Sequence, residues 1–144
     1  MNMNREPNYF VFKLTEMKKY VQMYQEQKET INWAEMLDLE NRLPISFIHA
    51  VDDNDDTQVL AFAGWGWNVS DQELEFGKIK VEESLGKSGI GTAIMKMVIA
   101  IAKFYKAPRI TGTIAGKKRL WHWYAMLGFT IHNQNKLLME FGDL

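Results

Sequence analysis

Two stretches of this chain bring together residue types that could do chemistry. The first is Gly86-Lys87-Ser88-Gly89-Ile90-Gly91. Gly86 and Gly89 can take backbone angles that residues with a Cβ avoid, and Gly91 admits a close approach to the first turn of an apolar helical pattern. Ser88 stands at the expected N-cap. A helix that starts there aims free N–H groups, and the positive end of its dipole, at one point. That makes an anion site, suited to a phosphate or pyrophosphate, and Lys87 adds a positive charge. The glycine order, G-x-x-G-x-G, is neither the P-loop nor the dinucleotide fingerprint. A strand–helix turn with no ligand explains the glycines about as well. The second stretch is Trp123-Tyr124-Ala125-Met126-Leu127-Gly128-Phe129. A packed helix end accounts for Leu127, Gly128 and Phe129 but gives no reason for a tyrosine at 124.

The elements that would carry these stretches follow from periodicity. Residues 9–14 read as an aromatic, β-branched strand. Thr15 is the expected N-cap of a helix over 16–28, with Met17, Tyr20, Val21 and Tyr24 at helical spacing. A short helix over 33–40 follows, and Pro44 closes that region. Strands are expected over 45–51 and 58–67 around an acidic turn at 52–56. After a turn at 68–72 comes a strand over 73–81. Leu74 and Phe76 share one of its faces, but after Gly77 the apolar pair becomes Ile79 and Val81. A glycine at a phase shift predicts a bulge or bend. The main helix, 89–105, bears the stripe Ile90, Ala93, Ile94, Met97, Val98, Ile101 and Phe104. A strand over 108–115, a helix over 117–127 ended by Gly128 as C′ residue, and a hairpin of 129–132 with 137–141 complete the chain. The order is β-αα-βββ-α-β-α-ββ, an α+β domain with no repeat or linker, spanning 1–144 as one unit.

Composition bounds the function. The chain has 144 residues, 47% of them hydrophobic, so it can build a core. The formal net charge of −1 supplies no basic field for nucleic acid. Cysteine is absent, which excludes disulfides, thiolate metal sites and a thiol nucleophile. Residues 1–7 are polar and show no signal peptide. The longest apolar run is too short to span a membrane. A cytoplasmic protein is expected, without membrane or nucleic-acid partners.

With both stretches in place, the chain resembles the GNAT superfamily of N-acetyltransferases. Residues 81–91 are similar to its V-x-P-x-x-R-G-x-G-x-G acyl-CoA loop, and WYAMLGF to its F-Y-x-x-x-G-F segment. The element order agrees over 81–141 and more loosely over 9–80. The resemblance implies a mixed, mostly antiparallel sheet, splayed at the fourth strand, with helices on both faces. It implies acetyl-CoA as acyl donor, a small-molecule or peptide amine as acceptor, no metal, and dimers among its members, with the closing hairpin edge as one candidate surface. Ile79, Lys80 and Val81 would then meet the pantetheine arm. Gly86, Lys87, Ser88, Gly89, Ile90, Gly91 and Thr92 would hold the pyrophosphate. Tyr124 would protonate the departing thiolate; a phenol with pKa about 10 can serve a thiol near about 8.5. The chain departs from the family at Gly86, where Arg or Gln is usual, and at Lys87, where Gly is. Glu83 replaces a proline, and Lys117 an asparagine.

An attacking amine must lose a proton, and a carboxylate or histidine is the usual acceptor. Glu75 and Glu73 share a face of the strand leading to Val81 and are the candidates, against the alternative of a solvated strand face. His49 is a third, though a hydrogen-bonded structural histidine is the commoner case. Tyr20, Tyr24, Trp33, Trp65 and Trp67 are candidate walls of an acceptor pocket. The carboxylates at 52–56 fail the calcium-loop spacing and read as a hairpin tip. Lys117, Lys118 and Arg119 read as a solvated basic face or a contact for the CoA 3′-phosphate. A CoA-binding or protein-interaction module on the same fold is the rival to an enzyme.

Overall fold

The computed structural model describes residues 9–26, 31–39, 47–68, 73–113, 120–132 and 136–141. The element order is the expected one: β1 (Tyr9–Lys13), α1 (Leu14–Glu26), α2 (Trp33–Met36), β2 (Phe47–Asp52), β3 (Asp55–Asn68), β4 (Glu73–Val81), α3 (Ile90–Phe104), β5 (Arg109–Thr113), α4 (Trp121–Met126), β6 (Thr130–His132) and β7 (Lys136–Glu140). A short 3₁₀ turn, Glu83–Leu85, joins β4 to the loop before α3. The seven strands form one mixed sheet in the order β1-β2-β3-β4-β5-β7-β6. β1–β2 and β4–β5 are parallel and the other four pairings antiparallel.

One face of the sheet holds the core. Paired strands put Phe10 and Phe12, Ile48 and Ala50, Ala61 and Ala63, Trp65, Leu74, Phe76 and Ile110 on it, all buried. α1 and α2 pack against α3 on this side. The parallel connections β1→β2 and β4→β5 run the same way across the sheet, so two right-handed crossovers bring their helices to the same face. The stripe on α3 is as read: Ile90, Ala93, Ile94, Met97, Val98 and Ile101 are fully buried, while Phe104 is half-buried. Each such large side chain contributes about 1.5–3 kcal/mol. α4 ends at Gly128, whose φ of 104° identifies it as the left-handed C′ residue.

Three local readings are corrected. Thr15 is not an N-cap: α1 begins one residue earlier, at Leu14, and the Thr15 N–H donates to Asp53 Oδ1 at 3.0 Å. The Thr15 hydroxyl also bonds the Asp53 carboxylate. α2 spans four residues and not eight. Asn32 caps it by accepting the Glu35 N–H at 3.1 Å, and Asp38, at φ 56°, turns the chain out of the helix. Its neighbours Leu37 and Leu39 are thereby buried. The acidic tip is narrower than read, because β3 begins at Asp55. Its carboxylates serve the hairpin: Asp52 accepts the Asn54 N–H, Asp55 the Thr57 N–H, and Asp56 pairs with Lys13. Of the turn expected at 68–72, Asn68 belongs to β3, and residues 69–72 and 117–119 lie outside the described residues.

The phase shift in β4 is a bulge. Gly64 pairs with Lys78 and Trp65 with Phe76, which leaves Gly77 opposite no residue of β3. The extra residue returns Ile79 and Val81 to the face already occupied by Leu74 and Phe76. Deleting Gly77 would let Lys78 follow Phe76 in the same register, so Ile79 and Val81 are expected to keep their face. Inserting one residue after Gly77 is expected to turn both half-buried side chains to the other face, at a cost of about 2–3 kcal/mol in total. Urea unfolding measures it, and an insertion variant with an unchanged midpoint would mean that something other than the bulge sets the phase.

Candidate active site

The loop before α3 is shaped by α1. Gly89 is the N-cap of α3, at φ 85°. Its carbonyl accepts the Tyr24 hydroxyl at 3.2 Å. A Cβ on Gly89 would lie 2.7 Å from that hydroxyl oxygen and 3.0 Å from Val21 Cγ1. Glycine is thus required twice, by the backbone angle and by the approach of α1. Ser88 stands one residue before the cap, not at it. Its hydroxyl donates to the Leu85 carbonyl at 2.6 Å and accepts the Ile90 N–H at 3.3 Å. Gly86 has φ −59° and ψ −26°, ordinary helical values, so it is not there for a backbone angle closed to other residues. The helical ladder begins with Ala93 N–H to Gly89 C=O at 3.0 Å. Ile90, Gly91 and Thr92 therefore lie ahead of it. Ser88 takes the first of these N–H groups, and Gly91 and Thr92 bear the other two at the helix N-terminus. Ile90 has its side chain in the core, so it can face a ligand only through its backbone. Lys87 is exposed beside the loop. Lys96, in the second turn of α3, sits with Nζ 5.4 Å from the Tyr24 ring centroid.

Below this loop the sheet opens. Among the described residues β4 pairs with β5 only at Leu74↔Ile110 and Glu75↔Thr111, and Gly112 and Thr113 form no further pair with it. The Glu82 N–H bonds the Leu60 carbonyl at 2.8 Å. In an antiparallel ladder that bond makes Lys80↔Phe62 and Lys78↔Gly64 the hydrogen-bonded pairs. The backbone groups of Ile79 and Val81 then point the other way, into the gap. Of the three strand residues expected to meet a pantetheine arm, Lys80 is the exception. Its backbone belongs to the β3 ladder, and its side chain is exposed on the opposite face. The side chains of Ile79 and Val81 point at α3, 4.0 and 3.4 Å from where a Cβ on Gly91 would stand.

α4 closes the arrangement. The Trp123 indole N–H donates to Thr92 Oγ1 at 2.9 Å, and its ring lies 3.7 Å from the same Gly91 position. Sequence reasoning missed this role for Trp123. A half-buried indole needs an acceptor, and a threonine in the first turn of α3 was the available signal. Tyr124 is 4% exposed, ringed by Trp123 and Phe129. Burial pushes its hydroxyl above the ordinary 10.0 and keeps it protonated.

The two carboxylates differ. Glu73 is paired with Arg109, Oε2 to NH1 at 3.3 Å, with its side chain only 13% exposed. Glu75 is exposed at the last β4–β5 pair before the gap. His49 lies on the same sheet face among Tyr9, Phe47 and Phe62, and burial lowers its pKa. Trp33 and Trp65 are core residues, and Trp67 packs edge-on against Tyr105. Of the aromatics expected at an acceptor wall, Tyr24 alone bonds the candidate loop. His122 and His132 are exposed. Among the described residues no group of three or more His, Asp or Glu is placed to hold a metal ion, and no helix is long and apolar enough to cross a membrane.

No protein-family model matches the sequence, and no curated protein sequence does. Solved structures match the fold. Ard1 from Thermoplasma volcanium aligns with a TM-score of 0.57 at 18% identity, over 88% of this chain and 93% of that one. A GNAT family acetyltransferase from Elizabethkingia anophelis, with acetyl-CoA bound, gives 0.53 at 19% identity over 65% and 74%. Nourseothricin acetyltransferase gives 0.51 at 18% identity, and the match spans 60% of each chain. The chain has the GNAT acetyltransferase fold.

Replacing Gly89 by alanine is expected to cost about 1–3 kcal/mol, from the positive φ and the collision with Tyr24. Tyr24→Phe is expected to cost about 0.5–1.5 kcal/mol, by loss of one hydrogen bond. Urea unfolding of both variants measures this, and a Gly89→Ala chain as stable as the parent would refute the account of the loop.

Proposed function

We propose that this chain, which carries the fold of the GNAT acetyltransferases, transfers an acetyl group from acetyl-CoA to an amine by direct attack on the thioester. The observation that carries the reading is that β4–β5 pairing among the described residues stops at Glu75, with the N-terminus of α3 following the far end of β4. An elongated ligand with an anionic tail and a reactive head fits that course. The residues suit it: Gly89 and Gly91 put no side chain on the first turn, and the N–H groups of Gly91 and Thr92 lie ahead of the helical ladder. Gly86, Lys87 and Ser88 complete the pyrophosphate loop. The backbone groups of Ile79 and Val81 line the gap where a pantetheine arm would run.

Acetyl-CoA supplies the activated acetyl thioester. Within the site Glu75 accepts the proton that the amine gives up as its nitrogen bonds the carbonyl carbon. Tyr124 donates a proton to the sulfur as the C–S bond breaks. Glu73, held by Arg109, is the weaker base candidate and orients the strand. The chain needs no covalent intermediate, since holding the two reactants together supplies much of the acceleration. The exposed loop at Gly86, without the usual Arg or Gln side chain, is the observation that favours the rival reading of a non-catalytic CoA-binding or protein-interaction module.

Acetyl-CoA at about 100 times its dissociation constant is expected to add about 2.7 kcal/mol of stability and raise the melting temperature by several degrees, with no rise from ATP. Equal or absent shifts would remove the cofactor assignment. Tyr124→Phe is expected to lower kcat about 10- to 1,000-fold while keeping the acetyl-CoA shift. Unchanged turnover would take Tyr124 out of the mechanism. Because burial raises the Tyr124 pKa, its protonated form persists through 10.0 and is lost only above it, so any alkaline fall in kcat caused by this residue lies above that pH.

A further inference from the structure

β4 sends alternate side chains to opposite sides of the sheet. Ile79 and Val81 face α3, whereas Glu75, Lys78 and Lys80 face the other side. An amine that reaches Glu75 therefore rests on that second face. Opposite Glu75, β3 carries Gly66, and no described residue lies within 4 Å of where its Cβ would be. Gly64, opposite Lys78, is roofed by the Phe47 ring, which would lie 2.8 Å from a Cβ there. The result is an open floor at Gly66 with an aromatic wall beside it.

The wall continues outward. Phe47 stacks on Tyr9 at 5.1 Å and 17°, His49 sits edge-on to Tyr9 at 4.8 Å, and Phe62 lies 6.1 Å from His49. Tyr9 is 44% and Val11 53% exposed. These neighbouring rings offer a partly exposed surface on which a ligand ring can stack. The charges narrow the ligand. Glu75 and Lys78 project from β4 beside Gly66 and Gly64, two β3 residues apart, or about 7 Å along the strand. The Lys78 ammonium stands 5.9 Å from the Phe62 ring centroid, drawn over the rings. A negative and a positive group at that spacing, next to stacked rings, complement a zwitterion with an aromatic side chain. A simple amine would leave Lys78 without a counter-charge, and an aliphatic amino acid would leave the rings wet.

We propose that the acceptor is a free aromatic α-amino acid, with its amine at Glu75, its carboxylate at Lys78 and its ring on Phe47 and Tyr9. This rests on the acetyl-transfer reading above. The test compares L-phenylalanine, L-phenylalaninamide, phenethylamine and L-alanine by CoA thiol release. Saturation-transfer NMR of L-phenylalanine without acetyl-CoA, on the parent chain and on Lys78→Met, gives an independent readout. L-phenylalanine is expected to exceed the other three in kcat/KM by at least about ten-fold, the scale of a lost charge-assisted hydrogen bond. Lys78→Met is expected to raise KM for L-phenylalanine about 10- to 100-fold, to leave that for the amide unchanged, and to keep the acetyl-CoA melting shift. Equal rates across the panel, or a Lys78→Met variant that loses amide and acid alike, overturns the assignment. Should acetyl-CoA neither bind nor react, the transfer reading fails alone. NMR saturation of L-phenylalanine that vanishes in Lys78→Met still upholds the amino-acid site, and its absence in the parent chain overturns it.

Discussion

Beyond Glu75, β4 has a paired strand on one edge only among the described residues. A strand in the middle of a sheet normally spends its backbone groups on both neighbours, and here no described residue pairs with the β5 side of Ile79 and Val81. The rest of the site depends on that surplus. The bulge at Gly77 comes just after the last β4–β5 pair, so the strand bends where it loses its neighbour. Past the opening, the 3₁₀ turn and the left-handed Gly89 reverse the chain into α3, and the helix N-terminus arrives at the mouth of the gap. A protein interior tolerates unpaired backbone poorly, and on the proposed reading the pantetheine arm takes the groups that β5 leaves.

Much of this was legible in the sequence because it rests on period and on glycine. The eleven-element order, the β4 boundaries and the α3 stripe follow from alternation of two and 3.6. The break in alternation after Gly77 announced the bulge without any structure. Less legible were features set by tertiary neighbours. Ser88 has the residue type of an N-cap, but Tyr24 and Val21 press so closely on the next position that only glycine fits, and the cap moves to Gly89. Thr15 likewise has a capping side chain, which Asp53 claims from 38 residues away. The pairing of Glu73 with Arg109 joins two strands 36 residues apart and no local pattern reports it.

The two faces of the sheet divide the labour. On one, apolar side chains from five strands meet three helices and set the stability. On the other, apart from Val51 and Leu60 near the β2–β3 turn, the described side chains of β1 to β4 are exposed or half-buried, and rings there pack on one another instead of on a helix. The gap between β4 and β5 is the passage between them. Glu75 stands at its lower end on the open side. Trp123 stands on the covered side, tied to Thr92. On the proposed reaction, donor and acceptor approach from opposite sides without competing for the same surface.

The bond from Tyr24 to Gly89 spans 65 residues, and it has a kinetic meaning. Contacts of that separation form after the intervening chain has collapsed, since closing the loop costs entropy before the contact repays it. α1 is made early on the ribosome, but the turn it shapes does not yet exist. The loop before α3 can take its final form only once β2, β3 and β4 have assembled and carried α3 alongside α1. That turn is therefore among the last parts of the molecule to mature, because its shape waits on the meeting of two helices far apart in the chain.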